Sequence, residues 1–423
     1  MTWRSSEVDR SIRLPNRISN SEILYLCALV IYLSLMTLRT TFYAAFFQDP
    51  LYKLVCLGCI GLLVISEIMK EGYNLKLIIA LAFVAFFILI IHRATSLVTA
   101  VPLLFIYCGR TYDIRRILRV ACWVCIFWLG LIVVFSKIGF IENYLMDEKY
   151  KRPREFLGFR YALYAPTYLI NIITIDFYLN REKIPLWRIA IYTFAGWYFF
   201  DRTDSRLCYG FTLFLILACI YLKLHSKIVI RPRPTLYRVL TFIIPFAWII
   251  GTFASLYIAK IYNPKNAAMV KVDEMLTGRL GFSQKSLKQY GIPLLGQKIE
   301  WIGNGLNMDG QKERGEYLYV DNLYIQFLQR YGLLFAVILL GLLTLLMFEA
   351  RRARDTHLLF VLSILAVHAM VDDLILHIWM NPFWIMLGSM VALLTDRREK
   401  VKMKFNVPGT EMAAHFKSPG VID

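Results

Sequence analysis

Charge is what the apolar stretches of this chain lack. Of 423 residues, 58% are hydrophobic and 18% charged, and few charges fall midway along an apolar run. Ion-coupled carriers set Asp, Glu, Lys or Arg near the bilayer midplane, so this scarcity counts against one. An internal repeat is missing too, which counts against a transporter built from duplicated halves. Paired carboxylates at DxD spacing are absent, as is a cluster of histidines on one helix face, so neither a metal site nor a cofactor is expected. Cysteine is absent between residues 260 and 322, so no disulfide staples that interval. No nucleic-acid module is visible, and the net charge of +18 follows from basic residues that flank apolar runs. The basic opening, Arg4 to Arg17, precedes an apolar run without a small-residue cleavage site, which reads as a retained span.

What is present is apolar length. Runs of about 20 apolar residues are the signature of membrane-spanning helices. The pattern predicts an all-α polytopic membrane protein with about twelve spans. They fall near 22–40, 51–69, 75–92, 95–109, 117–136, 161–180, 186–200, 206–224, 237–259, 323–348, 357–371 and 380–395. Basic clusters at Arg110–Arg119, Lys223–Arg238, Arg351–Arg354 and Arg397–Lys404 place both termini inside by the positive-inside rule. The expected organisation is a cytoplasmic segment 1–21, spans over 22–259, an external loop 260–322, spans over 323–395 and a cytoplasmic tail 396–423. Pro232 and Pro234 stiffen one inner connector. Cys56/Cys59 and Cys122/Cys125 have CxxC spacing but lie inside apolar runs without His or acidic partners, so they read as buried small hydrophobes.

The loop 260–322 is the one long polar interval, and such segments are usually binding loops or lids. It carries eight basic residues from Lys265 to Arg314 and glycines at 278, 281, 291, 296, 303, 305, 310 and 315. Four external elements could converge with it. They are Lys149–Arg160, the tight turn Asp201–Arg206, Leu276–Arg279 with Pro293–Gly296, and Asp321-Asn322-Leu323-Tyr324 running into Gln326, Gln329 and Arg330. On a helix, Asn322, Gln326 and Arg330 share a face at i, i+4 and i+8. Guanidinium groups donate bidentate to phosphates and keep their charge. Fixed arginines therefore neutralise a pyrophosphate leaving group without a metal.

In their order, these pieces resemble the polysaccharide polymerases of bacterial envelopes and the related O-antigen ligases. The matching stretches are Leu157-Gly158-Phe159, Thr203-Asp204-Ser205-Arg206, Gly278-Arg279, Gly296 after Pro-Leu-Leu, and Asp321-Asn322 through Tyr331-Gly332. The resemblance covers about residues 150–345. Two positions depart from it. Asp321 stands where ligases carry His, which favours a polymerase, and Arg160-Tyr161-Ala162 stands where the family often has His-Pro-Asn.

The resemblance implies a GT-C-like helical glycosyltransferase that works without metal or cofactor. It would transfer a glycan from an undecaprenyl-pyrophosphate carrier to a second lipid-linked repeat unit, beside a flippase and a chain-length regulator. Asp321 is the candidate base or acceptor orienter, and Arg206 and Arg279 are the candidate pyrophosphate clamps. Arg160, Ser205, Asn322, Tyr324, Gln326 and Arg330 are candidate substrate contacts. Three other readings stay open: an O-antigen-type ligase, a lipid-phosphate-sugar glycosyltransferase using Asp49, and a lipid-linked oligosaccharide flippase. His368, Asp372, Asp373 and His377 read as a polar turn between the last two spans.

Overall fold

The computed structural model describes residues 18–43, 49–71, 101–146, 153–225, 242–312 and 314–395, and every structural statement below concerns these. The chain is an all-α membrane protein with one two-residue hairpin, β1 (Leu145–Met146) against β2 (Arg154–Glu155). The helices in chain order are α1 (Asn20–Arg39), α2 (Asp49–Glu71), α3 (Val101–Cys108), α4 (Ile114–Lys137), α5 (Tyr164–Asn180), α6 (Leu186–Thr203) and α7 (Arg206–His225). After these come α8 (Ala247–Ile261), α9 (Ala267–Met275), α10 (Arg279–Tyr290), α11 (Leu323–Arg352), α12 (Thr356–His368) and α13 (Leu387–Thr395).

Six helical segments are long and apolar enough to cross a membrane: Asn20–Arg39, Pro50–Lys70, Ile114–Lys137, Arg206–Leu224, Ile244–Ile261 and Leu323–Arg352. Their outer faces carry exposed Trp123, Phe127, Phe214, Leu217, Phe253 and Val337. Soluble monomers rarely expose so much contiguous apolar surface. Lipid accounts for it.

The expectation of twelve spans is met only in part. The stretches at 161–180 and 186–200 do form helices, α5 and α6, but these are not among the six. α5 is instead the central helix, buried continuously from Ala165 to Tyr178. The stretch at 357–371 is the 13-residue α12, about 20 Å at 1.5 Å per residue, which is short of a ~30 Å hydrocarbon core. The stretch at 380–395 breaks into a short 3-10 turn, Pro382–Met386, and α13. The span expected at 75–92, the start of the one at 95–109, Pro232, Pro234, most of the segment 1–21 and all of the tail 396–423 lie outside the described residues.

α11 is not one straight rod. Gly332 adopts φ 87° and ψ 169° inside it, splitting it into a buried half, Leu323–Tyr331, and a lipid-exposed half beyond. The loop segment Pro293–Gln297 crosses the break. Leu333 N–H donates to Pro293 O (2.9 Å), Leu334 N–H to Leu294 O (3.1 Å) and Gln297 N–H to Arg330 O (3.1 Å). The main-chain groups freed by the break are thus taken up by the loop, as burial requires.

Around this crossing the loop folds on itself. α9 and α10 form its first part, and bridges Ile302–Leu318 and Leu306–Lys312 fold the second. Ile299, Trp301, Leu318 and Val320 pack on Ala259 and Ile325 as a small separate core.

Candidate functional site

Two turns aim the arginines. In the first, α6 ends at Asp204 in the left-handed region (φ 46°, ψ 37°), whose N–H bonds Phe200 O. The Thr203 hydroxyl donates to Phe199 O (2.7 Å) and lies 2.8 Å from Ser205 Oγ. Gly196 lets α6 and α7 close on each other, since a Cβ there would meet Thr212 Cγ2 at 2.7 Å. The result sets Ser205 inside and Arg206 at the first position of α7, 76% exposed, with Nε 3.5 Å from Asp204.

In the second turn, Thr277 and Gly278 have φ 59° and 82°. Asp273 accepts from the N–H groups of Leu280 (2.7 Å) and Gly281 (3.4 Å), so a carboxylate from α9 satisfies the orphan donors opening α10. That fixes Arg279, the first residue of α10.

Arg279 Nε lies 3.2 Å from Asp321 Oδ2, with the two side chains only 10% and 15% exposed. Both line a cavity of about 160 Å³, together with Arg154, Asp204, Ser205, Arg206, Tyr161, Cys208, His368 and Asp372. Burial raises the Asp321 carboxyl above the ordinary range, while Arg279 pulls it back only in part. Arg154, on β2, lies 3.9 Å from Asp204. An anion entering here meets three guanidinium groups, Arg154, Arg206 and Arg279, and three carboxylates, Asp204, Asp321 and Asp372. The chain matches no protein-family model, no curated protein and no solved structure.

The structure brings Asp321, Arg279, Ser205 and Arg206 to one cavity, and it sends the other candidates elsewhere. Arg160 faces an adjoining cavity of about 200 Å³ with Arg39, Tyr164, Trp301, Gly305 and Tyr319, and Tyr161 forms the wall between the two. Its Nε donates to Leu306 O (3.0 Å), and its own C=O accepts from Leu306 N–H (2.8 Å), so it also stitches the loop down.

Asn322 is the N-cap of α11. It accepts from Ile325 N–H and donates to Ser255 Oγ and Met370 O. Tyr324 is fully buried against Trp248, and its hydroxyl donates to Ala366 O (2.7 Å). Gln326 donates to Val320 O and to Asp373 Oδ2. None of these three lines either cavity. Asn322 and Tyr324 have their polar atoms bonded within the fold, while Gln326 keeps Oε1 without a partner, and the structure sets all three apart from the cavities where they were expected as substrate contacts.

Arg330, further along that stripe, carries its charge beside Asp373 and His377. Burial and then Arg330 hold the His377 imidazole down to about 4, so it is neutral. Asp49 opens α2 ahead of Pro50, and its side chain lies outside the described residues.

The turn after α12 is more than a polar cap. His368 and Asp372 are 1% and 5% exposed and line the arginine cavity. Asp372 accepts from Thr167 Oγ1 (3.1 Å) and Leu374 N–H (2.9 Å). Burial works to raise its carboxyl, but His368, Leu374 N–H and Arg279 outweigh that and leave it below the usual range. Neighbouring Asp373 goes the other way, pushed well up by burial and by the charges of Asp321 and Asp372, with Tyr319 and Gln326 donating to it. The i, i+4 spacing of His368 and Asp372 was the sequence signal. A simple cap needs only one of them.

Proposed function

We propose that this chain is a polysaccharide polymerase, a glycosyltransferase that joins undecaprenyl-pyrophosphate-linked repeat units at the outer face of the bacterial cell membrane. The observation that carries this reading is the cavity that Arg154, Arg206 and Arg279 line together with Asp321, which pairs with Arg279, where the polar loop meets apolar helices. The twelve-span, GT-C-like arrangement with both termini inside, and the company of a flippase and a chain-length regulator, belong to the same proposal.

The chemistry is a displacement. An acceptor hydroxyl oxygen attacks the donor's anomeric carbon, and the bond to the pyrophosphate oxygen breaks with its electron pair. The hydroxyl proton passes to Asp321, whose raised pKa makes it a better base than an ordinary carboxylate. Negative charge grows on the leaving group, where the buried Arg279 and the exposed Arg206 receive it. At Arg279, burial lowers the local dielectric and strengthens that attraction. The adjoining cavity, walled by Trp301, Tyr161, Tyr164 and Tyr319, offers ring faces and Arg160 to the sugar portion.

Purified full-length protein given lipid-linked repeat units should produce a glycan ladder. Movement of the lipid across proteoliposomes without any new glycosidic bond would instead assign a flippase.

Topology has its own test. The Lys298 side chain is 74% exposed in the loop. In a variant otherwise free of cysteine, Lys298→Cys should react with an impermeant maleimide in intact cells. Labelling seen only after permeabilisation would turn the loop inward and end the outer-face reading.

A further inference from the structure

Three cavity residues have no task in the displacement above: Cys208, His368 and Asp372. Their ligand-capable atoms all lie within 4.8 Å of one another, and all three residues are buried. Cys208 sits in the first turn of α7, His368 ends α12, and Asp372 follows one turn later. The trio therefore bridges two elements distant in sequence.

We propose that Cys208 Sγ, His368 and Asp372 bind a zinc-class divalent cation on the cavity wall.

The first argument is distance. His368 Nε2 and Asp372 Oδ2 are 3.3 Å apart. A charge-assisted N–H···O⁻ bond is about 2.7–2.9 Å long, so this pair is poorly closed as a hydrogen bond. With Zn–N and Zn–O bonds of about 2.0–2.1 Å, however, two ligands of a tetrahedral site stand roughly 3.3–3.4 Å apart. The pair already has the spacing of a tetrahedral edge.

Support around the ligands is the second argument. Metal-bound carboxylates are normally oriented by further hydrogen bonds. Asp372 has two such donors, Thr167 Oγ1 and Leu374 N–H. The His368 ring is held by Phe211, with ring centroids 4.5 Å apart.

Donor chemistry selects the ion. One sulfur, one nitrogen and one oxygen suit zinc, whereas magnesium and calcium take oxygen sets. Three protein ligands leave a fourth position, and because all three residues line the cavity it opens there. The charges around the cavity permit this. Arg154, Arg206 and Arg279 are matched by Asp204, Asp321 and Asp372, and a dication held by a Cys thiolate shifts the balance only one unit positive.

The proposal goes beyond the polymerase reading and is tested without glycan. The full chain, purified in detergent and stripped by EDTA, is titrated with zinc and counted by plasma mass spectrometry. One zinc per chain should bind, with magnesium failing to compete, and the thermal midpoint should rise with zinc. Cys208→Ser and His368→Ala should each weaken binding about 100-fold or more, beyond the 10–100-fold range of losses from supporting residues. Should His368→Ala fail to fold, cobalt in the otherwise unaltered chain decides: a thiolate-to-cobalt absorption band, absent in Cys208→Ser, places the ion on Cys208. Absence of zinc binding, or stoichiometric binding unchanged in Cys208→Ser, overturns the site. Glycan elongation that fails while zinc binds normally would count against the polymerase reading alone.

Discussion

Arg279→Ala should lower glycan elongation by two or more orders of magnitude, since a transition-state contact worth ~2.8 kcal/mol is a hundredfold in rate. Arg279→Lys keeps the charge and loses the planar fork, so it should fall in between. The pair with Asp321 complicates the single variants. Removing one partner strands the other in a buried place, typically at a cost of about 3–5 kcal/mol in stability. The double variant Arg279→Gln/Asp321→Asn removes both charges while leaving polar groups of similar shape. It should recover folding, read as thermal midpoint and membrane yield, and remain inactive. Near-normal elongation by the double variant would remove both residues from the mechanism.

Lys285, in the same loop helix but 44% exposed and paired only with Glu316 at 2.5 Å, is the control, and Lys285→Ala should be mild. The wild-type pH profile carries a matching sign. Asp321 must be ionised to accept a proton, so elongation falls as pH drops through its folded pKa. Burial has raised that value, so the acid limb should centre above the ordinary ~3.9.

Gly332→Ala should abolish the folded protein or lower its thermal midpoint by more than 10 °C. A Cβ at Gly332 would sit on the Gly296 nitrogen and 2.6 Å from Leu294 O, with φ already at +87°. Gly296→Ala meets the same crossing from the other side, against Arg330 O and Tyr331 C, with φ +84°. These obstacles are backbone and cannot swing away. Gly341, in the same helix, has nothing within 4 Å of an added Cβ. Gly341→Ala should therefore be neutral or stabilising by ~0.5–1 kcal/mol, the usual gain for a helical glycine. A Gly332→Ala protein that melts within a few degrees of wild type would show that the crossing gives way.

The sequence made some of this legible and hid the rest for physical reasons. Thr203–Arg206 and Gly278-Arg279 announce themselves because small, hydroxylic and left-handed residues at helix ends dictate local turns. Such turns aim the following side chain wherever the helices go. Asn322, Gln326 and Arg330 share a helix face as their spacing requires. Periodicity does not say what packs on that face, and it proved to be Ser255, Val320 and Asp373 rather than open cavity. His368 and Asp372 looked like a turn because their partners, Thr167 and Cys208, are far away in sequence. The break at Gly332 was hidden because an apolar run reads the same whether straight or split.

The crossing at Gly332 also orders events during synthesis. The ribosome delivers Pro293–Gln297 before it delivers Arg330–Leu334, so the loop cannot settle when it first emerges. Its carbonyls at 293 and 294 wait for the N–H groups of 333 and 334, which come with the next span. Nascent chains stalled short of that span should expose the loop to protease. Chains long enough to thread it should pin the 293–297 stretch by its backbone bonds, so that the N–H groups of Gln297, Leu333 and Leu334 resist hydrogen exchange.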